Sequence, residues 1–279
     1  MPELPEVRAH AERMTALMGD DVLAGVQLIG FSTLKTYAPA LDAAVGQPLR
    51  TVATRGKHLL LDFDGDTSHV VHLMQAGRLR PDAKEAKRPR GGLIRWRFAA
   101  NGAWLLTEAG TERKVGVWIV AGDPLTQEPL AHLGPEADTV DASALAELFT
   151  RHSARLHTFL RDQRILAGLG RMLANEICHR ARLSPFAQTS GLGREGATAV
   201  AAGIQDAVAD ALRAERARDD MSSSAERPSR VHNRTEQACP VCGDQIRAVE
   251  YRAYTVNYCP TCQTEGKVLA DNTTSKFLK

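Results

Sequence analysis

Four cysteines near one end of the chain constrain its fold more than any other feature. Cys239 and Cys242 form one Cys-x-x-Cys pair, CPVC, and Cys259 and Cys262 form a second, CPTC, with 16 residues (243–258) between them. A Cys-x-x-Cys turn offers two thiolates to one metal ion, and two such turns close a tetrahedral site. The competing reading is a thioredoxin-like redox pair, which needs one such motif and not two at this separation. Four protein ligands leave no open position, so the pattern points to one zinc ion (Zn2+) with a structural role. Gly243 follows the first turn, and the stretches QIRAVEY and YTVNY between the pairs fit a β-hairpin. The fifth cysteine, Cys178, lies in a helical pattern and reads as a small buried hydrophobe.

The chain has 279 residues, enough for two domains or one with appendages. Hydrophobic residues make up 43%, so a core can be buried, but aromatics are only 5%, so packing must rely on Leu, Val, Ala and Ile. No apolar run reaches the ~18 residues of a membrane-spanning helix, so no membrane association is expected. The N-terminus lacks a basic stretch followed by an apolar one, so no signal peptide is expected either. These readings place the protein in the cytoplasm, where a disulfide framework is not expected. A net charge of +2 is too small for composition alone to suggest nucleic acid.

LPEVRAHAERMTALMG has apolar residues at helical spacing and stops at Gly19. The runs VLAGVQLIGF, RTVATRGKHLLLDF, SHVVHLM, GLIRWRF, AWLLTEA and KVGVWIV follow, each short, rich in Val, Leu and Ile, and broken by Gly, Asp or Asn. Asp64-Gly65 and Asn101-Gly102 are hairpin turn signals. Residues 1–135 therefore read as one helix on a two-layer β-sandwich or barrel. After Gly134-Pro135 the period becomes helical, in ASALAELFTRH, LHTFLRDQRILAG, GRMLANEICHRARL and REGATAVAAGIQDAVADALRAERA. This Arg-rich all-α region closes with ARDDMSSSAERPSR, a polar segment expected to be a mobile linker, and spans 136–230. Residues 231–279 carry the zinc-finger pattern. The fold class is α+β and multidomain.

The first residues pose a separate question. Pro5 suits the first turn of a helix and Glu6 its positive end, but neither role accounts for Pro2 and Glu3. Trimming Met1 would expose the secondary amine of Pro2. An α-amino group has a pKa near ~8, so a fraction is neutral and nucleophilic at pH 7.

Four separated stretches line up with one known family: MPELPEV, RGKHLLLDF at Arg55–Phe63, DQRILAGLGRMLANEICHRARLSPF at Asp162–Phe186, and the CPVC…YCPTCQT ending. In this order they resemble the formamidopyrimidine-DNA glycosylase / endonuclease VIII family of base-excision repair enzymes, over nearly the whole chain. The resemblance implies an N-terminal helix on a β-sandwich, a helix–two-turns–helix DNA-binding domain and a zinc finger. It implies that Pro2 attacks C1′ of a damaged nucleotide, forming an iminium that β- and then δ-elimination resolve with strand cleavage. Glu3 would be the general acid on the sugar ring oxygen, Glu6 a further acidic group near the site, and Lys57 a phosphate contact beside the lesion. At the LAGLG turn, Gly170 would let the backbone approach a phosphate at the N-terminus of the next helix. Asn175 continues that helix toward DNA. Glu176 reads as structural, satisfying turn N–H groups.

Several positions depart from the family pattern. Arg171 stands where an Asn usually meets DNA phosphate, which keeps a charge but not the geometry. Tyr254 stands where many members carry a phosphate-contacting Arg, with Arg252 or Arg247 as substitutes. In HLMQAGRL, His72–Leu79, Gln75 aligns with a Met that enters the void of the flipped base, and Met74 precedes it. Either could fill that void, and Met74 could equally point into the sandwich. The resemblance implies a monomeric, bifunctional DNA glycosylase and AP lyase acting on damaged double-stranded DNA. The alternative is a damaged- or abasic-DNA binding protein with lyase activity only, or with no glycosylase activity.

Overall fold

The structure is a computed structural model and describes residues 1–110, 112–223, 226–252 and 254–269. Residues 270–279 of the expected zinc-finger region and 224–225 of the expected linker lie outside the described residues. The chain forms two compact units. The first joins Met1–His132 to Arg218–Ser224, and the second joins Leu133–Ala217 to Ala225–Lys279.

The first unit opens with helix α1, Leu4–Met18, whose Leu4, Val7, Ala11, Met14 and Met18 recur at helical spacing and are buried. Among the described residues ten strands follow, eight of them here: β1 (Leu23–Leu28), β2 (Leu49–Arg55), β3 (His58–Phe63), β4 (Thr67–His72), β5 (Gly77–Pro81), β6 (Gly92–Phe98), β7 (Gly102–Glu108) and β8 (Gly116–Ala121). They make two four-stranded antiparallel sheets, ordered β1-β6-β7-β5 and β2-β3-β4-β8. Leu59 and Leu61 of β3, Val71 of β4, Trp96 of β6, Leu106 of β7 and Ile119 of β8 share one core with α1. Removing such side chains from water stabilises each by about 1.5–3 kcal/mol. Thr15 anchors the helix to β2 by accepting the Val52 N–H at 2.9 Å.

Two strand expectations need correction. RTVATRGKHLLLDF is not one strand but the hairpin β2–β3, with Arg55 paired to His58. Gly56 adopts φ 57° in the two-residue turn, so Lys57 lies in the turn rather than on a strand. The end of HLMQAGRL, outside the β-type runs named above, begins strand β5; with Leu79 as its one large apolar residue, its sequence gives almost no alternation signal.

The expected linker also differs. Met221 lies within the sandwich core at 4% exposure, Asp220 pairs with Arg80 at 2.6 Å, and the Arg218 carbonyl accepts from Arg13 at 3.2 Å. Burial of one methionine, together with the ion pair and the hydrogen bond, docks a segment whose polar sequence gives little sign of it.

The second unit holds α2 (Ala142–Arg151), α3 (Leu156–Arg161), α4 (Arg171–Arg180) and α5 (Gly193–Arg216). It also contains the hairpin β9 (Arg247–Tyr251) and β10 (Tyr254–Tyr258) and the short helix α6 (Pro260–Gln263). Asp141 caps α2 by accepting the Ala144 N–H at 2.8 Å. The helical reading of LHTFLRDQRILAG stops short at Arg161, because Asp162 accepts the Arg164 N–H at 3.0 Å and turns the chain. Gly203 lets α5 approach α4 closely, since a Cβ there would lie 3.1 Å from the Ile177 carbonyl oxygen. Among the described residues no helix is long and apolar enough to cross a membrane.

Candidate functional site

In the first unit the candidate residues gather at the start of α1 and on two turns. Glu3 is the N-cap of α1, and the Glu6 carboxylate accepts its backbone N–H at 2.6 Å, one arm of a reciprocal capping box. Pro2, Glu3 and Glu6 are all buried. The sequence places this pair where the helix leaves its N–H groups unpaired, so two acidic side chains are held at the positive end of α1.

Lys57, 6% exposed, sits beside a histidine pair. The rings of His58 and His72 meet edge to face with centroids 4.5 Å apart. Burial pushes His58 down to about 4 and His72 down to about 3, so both are neutral near pH 7. Arg55 and Lys57 are the other basic residues of this turn. His72 Nδ1 accepts the Met74 N–H at 3.1 Å, which fixes the backbone of the next turn, where Met74 adopts φ 52°. Met74 packs partly against the sandwich core, whereas Gln75 is exposed. Of the two candidates for filling a void, the structure leaves Gln75 in solvent. Glu108, which sequence reasoning missed, is buried and accepts the N–H groups of Lys114 at 2.9 Å and Val115 at 3.2 Å, bracing the loop after β7.

In the second unit the turn between α3 and α4 is organised by Gln163. Its Oε1 accepts the Gly168 N–H at 3.0 Å, and its Nε2 donates to the carbonyls of Arg161 at 2.9 Å and Leu169 at 2.8 Å. Gly168 adopts φ 98° and Gly170 is the N-cap of α4, with Arg171 the first helical residue. A Gln among turn residues was the only sequence sign of this brace. Asn175, read as a DNA-binding residue, is 0% exposed and its amide bonds His232 Nδ1 at 2.8 Å. Its position in the middle of the buried face of α4 accounts for this. Glu176 accepts three consecutive backbone N–H groups, from Arg230 at 2.8 Å, Val231 at 2.9 Å and His232 at 3.0 Å, the structural role read from sequence.

The four finger cysteines converge, with all four sulfurs within 4.8 Å of one another. The Cys239–Cys262 and Cys242–Cys259 separations are 3.9 Å and 3.4 Å. Tetrahedral Zn–S bonds of about 2.3 Å would place sulfurs about 3.8 Å apart, so the residues fit a metal ion of that size. Burial pushes the Cys262 thiol up to about 11 and Cys259 higher still; a bound cation reverses that balance by favouring thiolates. His179 of α4 reaches Cys239 Sγ at 3.3 Å, linking the cluster to the helix. Gln263 accepts the Cys259 N–H at 2.8 Å and donates to the Leu183 carbonyl at 3.0 Å. Arg252 is exposed at the tip of the β9–β10 hairpin, and Arg247 opens β9. Tyr254 opens β10 with the Arg161 guanidinium 4.4 Å over its ring.

The formamidopyrimidine-DNA glycosylase N-terminal domain model matches residues 1–117, and the formamidopyrimidine-DNA glycosylase H2TH domain model matches residues 130–222. A formamidopyrimidine-DNA glycosylase of Methylococcus capsulatus is 30% identical over 94% of this chain and 100% of its own length. An uncharacterized formamidopyrimidine-DNA glycosylase-like protein of Mycobacterium tuberculosis is 39% identical over 55% of this chain and 98% of its own. Among solved structures, a mutant Lactococcus lactis FPG in complex with Fapy-dG-containing DNA superposes with a TM-score of 0.83 at 20% identity, covering 94% of this chain and 100% of that one. MutM (FPG) from Thermus thermophilus superposes with a TM-score of 0.82 at 24% identity, covering 95% and 100%. At these identities the structural likeness is one of fold.

Proposed function

Because the chain belongs to the formamidopyrimidine-DNA glycosylase family, we propose that it is a DNA glycosylase with AP lyase activity, excising oxidatively damaged bases from duplex DNA. The observation that carries this reading is the Pro2–Glu3 pair, fixed at the N-cap of α1 by the Glu3–Glu6 hydrogen bond.

In this reading Met1 is removed and the Pro2 amine becomes the nucleophile. The positive end of α1 disfavours the ammonium form, which keeps a lone pair available near pH 7. The amine attacks C1′; the N–C1′ bond forms, the glycosidic bond breaks, and the damaged base leaves with the bonding electrons and takes up the proton that the amine nitrogen gives up. Glu3 protonates the ring oxygen as the sugar opens, giving a cationic iminium that needs no added proton because Pro2 is a secondary amine. The iminium acidifies the C2′ proton. Its loss expels the 3′ phosphate, and a second elimination expels the 5′ phosphate. Lys57 holds a phosphate beside the lesion, Gln75 enters the void left by the flipped nucleotide, and Gly170 with Arg171 presents N–H groups and charge to the backbone. Arg252 contacts phosphate from the finger. Asn175 acts at one remove, by positioning His232. The four cysteines hold one structural zinc ion, which fixes the hairpin and supplies no chemistry to the reaction.

Division of labour in this proposal follows residues 1–135 for chemistry, 136–230 for phosphate binding and 231–279 for the finger. The direct experiment compares wild type with Glu3→Gln on duplexes carrying an abasic site or an oxidised base, reading base release and strand nicking separately. Loss of both activities by about 10²-fold or more is expected for a general acid. Retention of full excision and nicking would overturn the assignment. The burial of Asn175 and the Tyr at 254 favour one second reading, a damage-binding protein, and intact binding without nicking by the wild type would select it.

A further inference from the structure

Tyr251 and Tyr254 face each other across the β9–β10 hairpin, and their rings stack at 4.7 Å with an interplanar angle of 13°. His157 lies parallel to Tyr254, 13° between planes and 6.0 Å between centroids, and the Arg161 guanidinium covers Tyr254 at 4.4 Å. Tyr254 is thus held among a guanidinium, an imidazole and a second phenol ring. Tyr251 ends the stack. Among the described residues no other ring or guanidinium lies against its face, and it is only half-buried.

The charge around this terminal ring has one sign. Arg155 donates to the Tyr251 hydroxyl at 3.2 Å with its guanidinium 5.8 Å from the Phe186 ring, and Arg252 is the next residue in the turn. Among the described residues, Arg155, Arg161 and Arg252 have no carboxylate within ion-pair distance. Strand alternation places Glu250 on the opposite face of the hairpin. A preordered aromatic ring with an open face, flanked by unpaired arginines, suits a flat π-system carrying an anion. In a paired duplex, bases show no free face. An unpaired nucleotide offers both a face and a phosphate.

We propose that Tyr251 is a stacking site for an unpaired DNA base, with Arg155 and Arg252 on the adjoining phosphates, so that the protein favours DNA carrying unpaired nucleotides. The inference rests on the DNA-binding part of the function proposed above and not on its chemistry.

The test uses undamaged DNA, so no excision is needed. Fluorescence anisotropy would compare a fully paired duplex with the same duplex carrying a short unpaired bubble. Base–aromatic stacking of the usual strength predicts that the wild type binds the bubble about 5- to 150-fold more tightly. Tyr251→Leu should abolish that preference and leave affinity for the paired duplex within about twofold, whereas Tyr251→Phe should keep it. Equal affinity of the wild type for both DNAs, or an intact preference in Tyr251→Leu, would overturn the proposal. As a check that does not depend on a variant folding, 5-iodouracil in the bubble should photocross-link to Tyr251 in the wild-type protein; adducts found only elsewhere would contradict it. A wild type that prefers bubbles yet fails to nick an abasic duplex would support the stacking site and defeat the glycosylase reading, so the two failures are distinguishable.

Discussion

Glu176 and Lys57 show two different uses of a buried charge. Glu176 serves the backbone: three N–H groups of residues 230–232 converge on its two oxygens. Glu176→Ala strands those donors, so we expect a loss of about 2–4 kcal/mol in urea unfolding, with Glu176→Gln recovering part of it. An unchanged midpoint would show that the three contacts contribute nothing. Lys57 serves a ligand in the proposed function. Lys57→Ala should weaken binding across all sequences and lower the slope of log affinity against log salt by about one. A slope unchanged by the substitution would remove Lys57 from the phosphate contacts. At this scale the four cysteines were legible because metal chemistry dictates their spacing; Glu176 was legible as a structural acid, but its partners were not, because they are the N–H groups of residues 230–232, more than fifty positions along the chain. Asn175 was not legible: whether a polar residue faces out depends on which side of α4 the rest of the unit covers, and residue type does not report that.

Elements defined by repeated apolar spacing were legible, and elements defined by single side chains were not. Helix α1, the α5 helix and the β9–β10 hairpin follow their patterns closely. Strand β5 is missed because four of its five residues are Gly, Arg or Pro, and the segment at 218–222 because Met221 is its one large apolar residue in the core and its polar contacts, Asp220 to Arg80 and the Arg218 carbonyl to Arg13, leave no periodic signal. The turn between α3 and α4 is likewise held by one residue, Gln163, through three hydrogen bonds. Gln163→Ala should therefore loosen the N-terminus of α4, raising amide exchange of Gly168 and cutting affinity for abasic duplex, while global stability falls by about 1–3 kcal/mol. Unchanged exchange at Gly168 would contradict the brace. In the finger, the sulfur positions predict about one tightly held zinc per chain by elemental analysis. Chelation should unfold the β9–β10 hairpin; a finger that keeps its structure without metal would contradict the assignment.

For the whole molecule, the buried histidines set the acid limit. Burial lowers His10 and His58 to about 4 and His69, His72 and His157 to about 3, against a value near 6.5 when unfolded. Each is neutral when folded and takes up a proton on unfolding once the pH drops below about 6.5. Their contribution is thus fully present above that pH and is lost as pH falls toward 4 and 3. Unfolding free energy should drop by about 1.4 kcal/mol per pH unit for each such histidine across this window. A flat pH profile from 6.5 to 4 would contradict their neutral burial. An amine nucleophile at residue 2 would be captured by borohydride trapping. Protein with Met1 removed would be mixed with labelled duplexes carrying an abasic site, 8-oxoguanine, a formamidopyrimidine or an oxidised pyrimidine, and reduced. A covalent protein–DNA band is expected on the abasic duplex and on at least one damaged base, absent in Pro2→Gly and in an N-terminally extended chain. No band on any duplex, with binding retained, would contradict it.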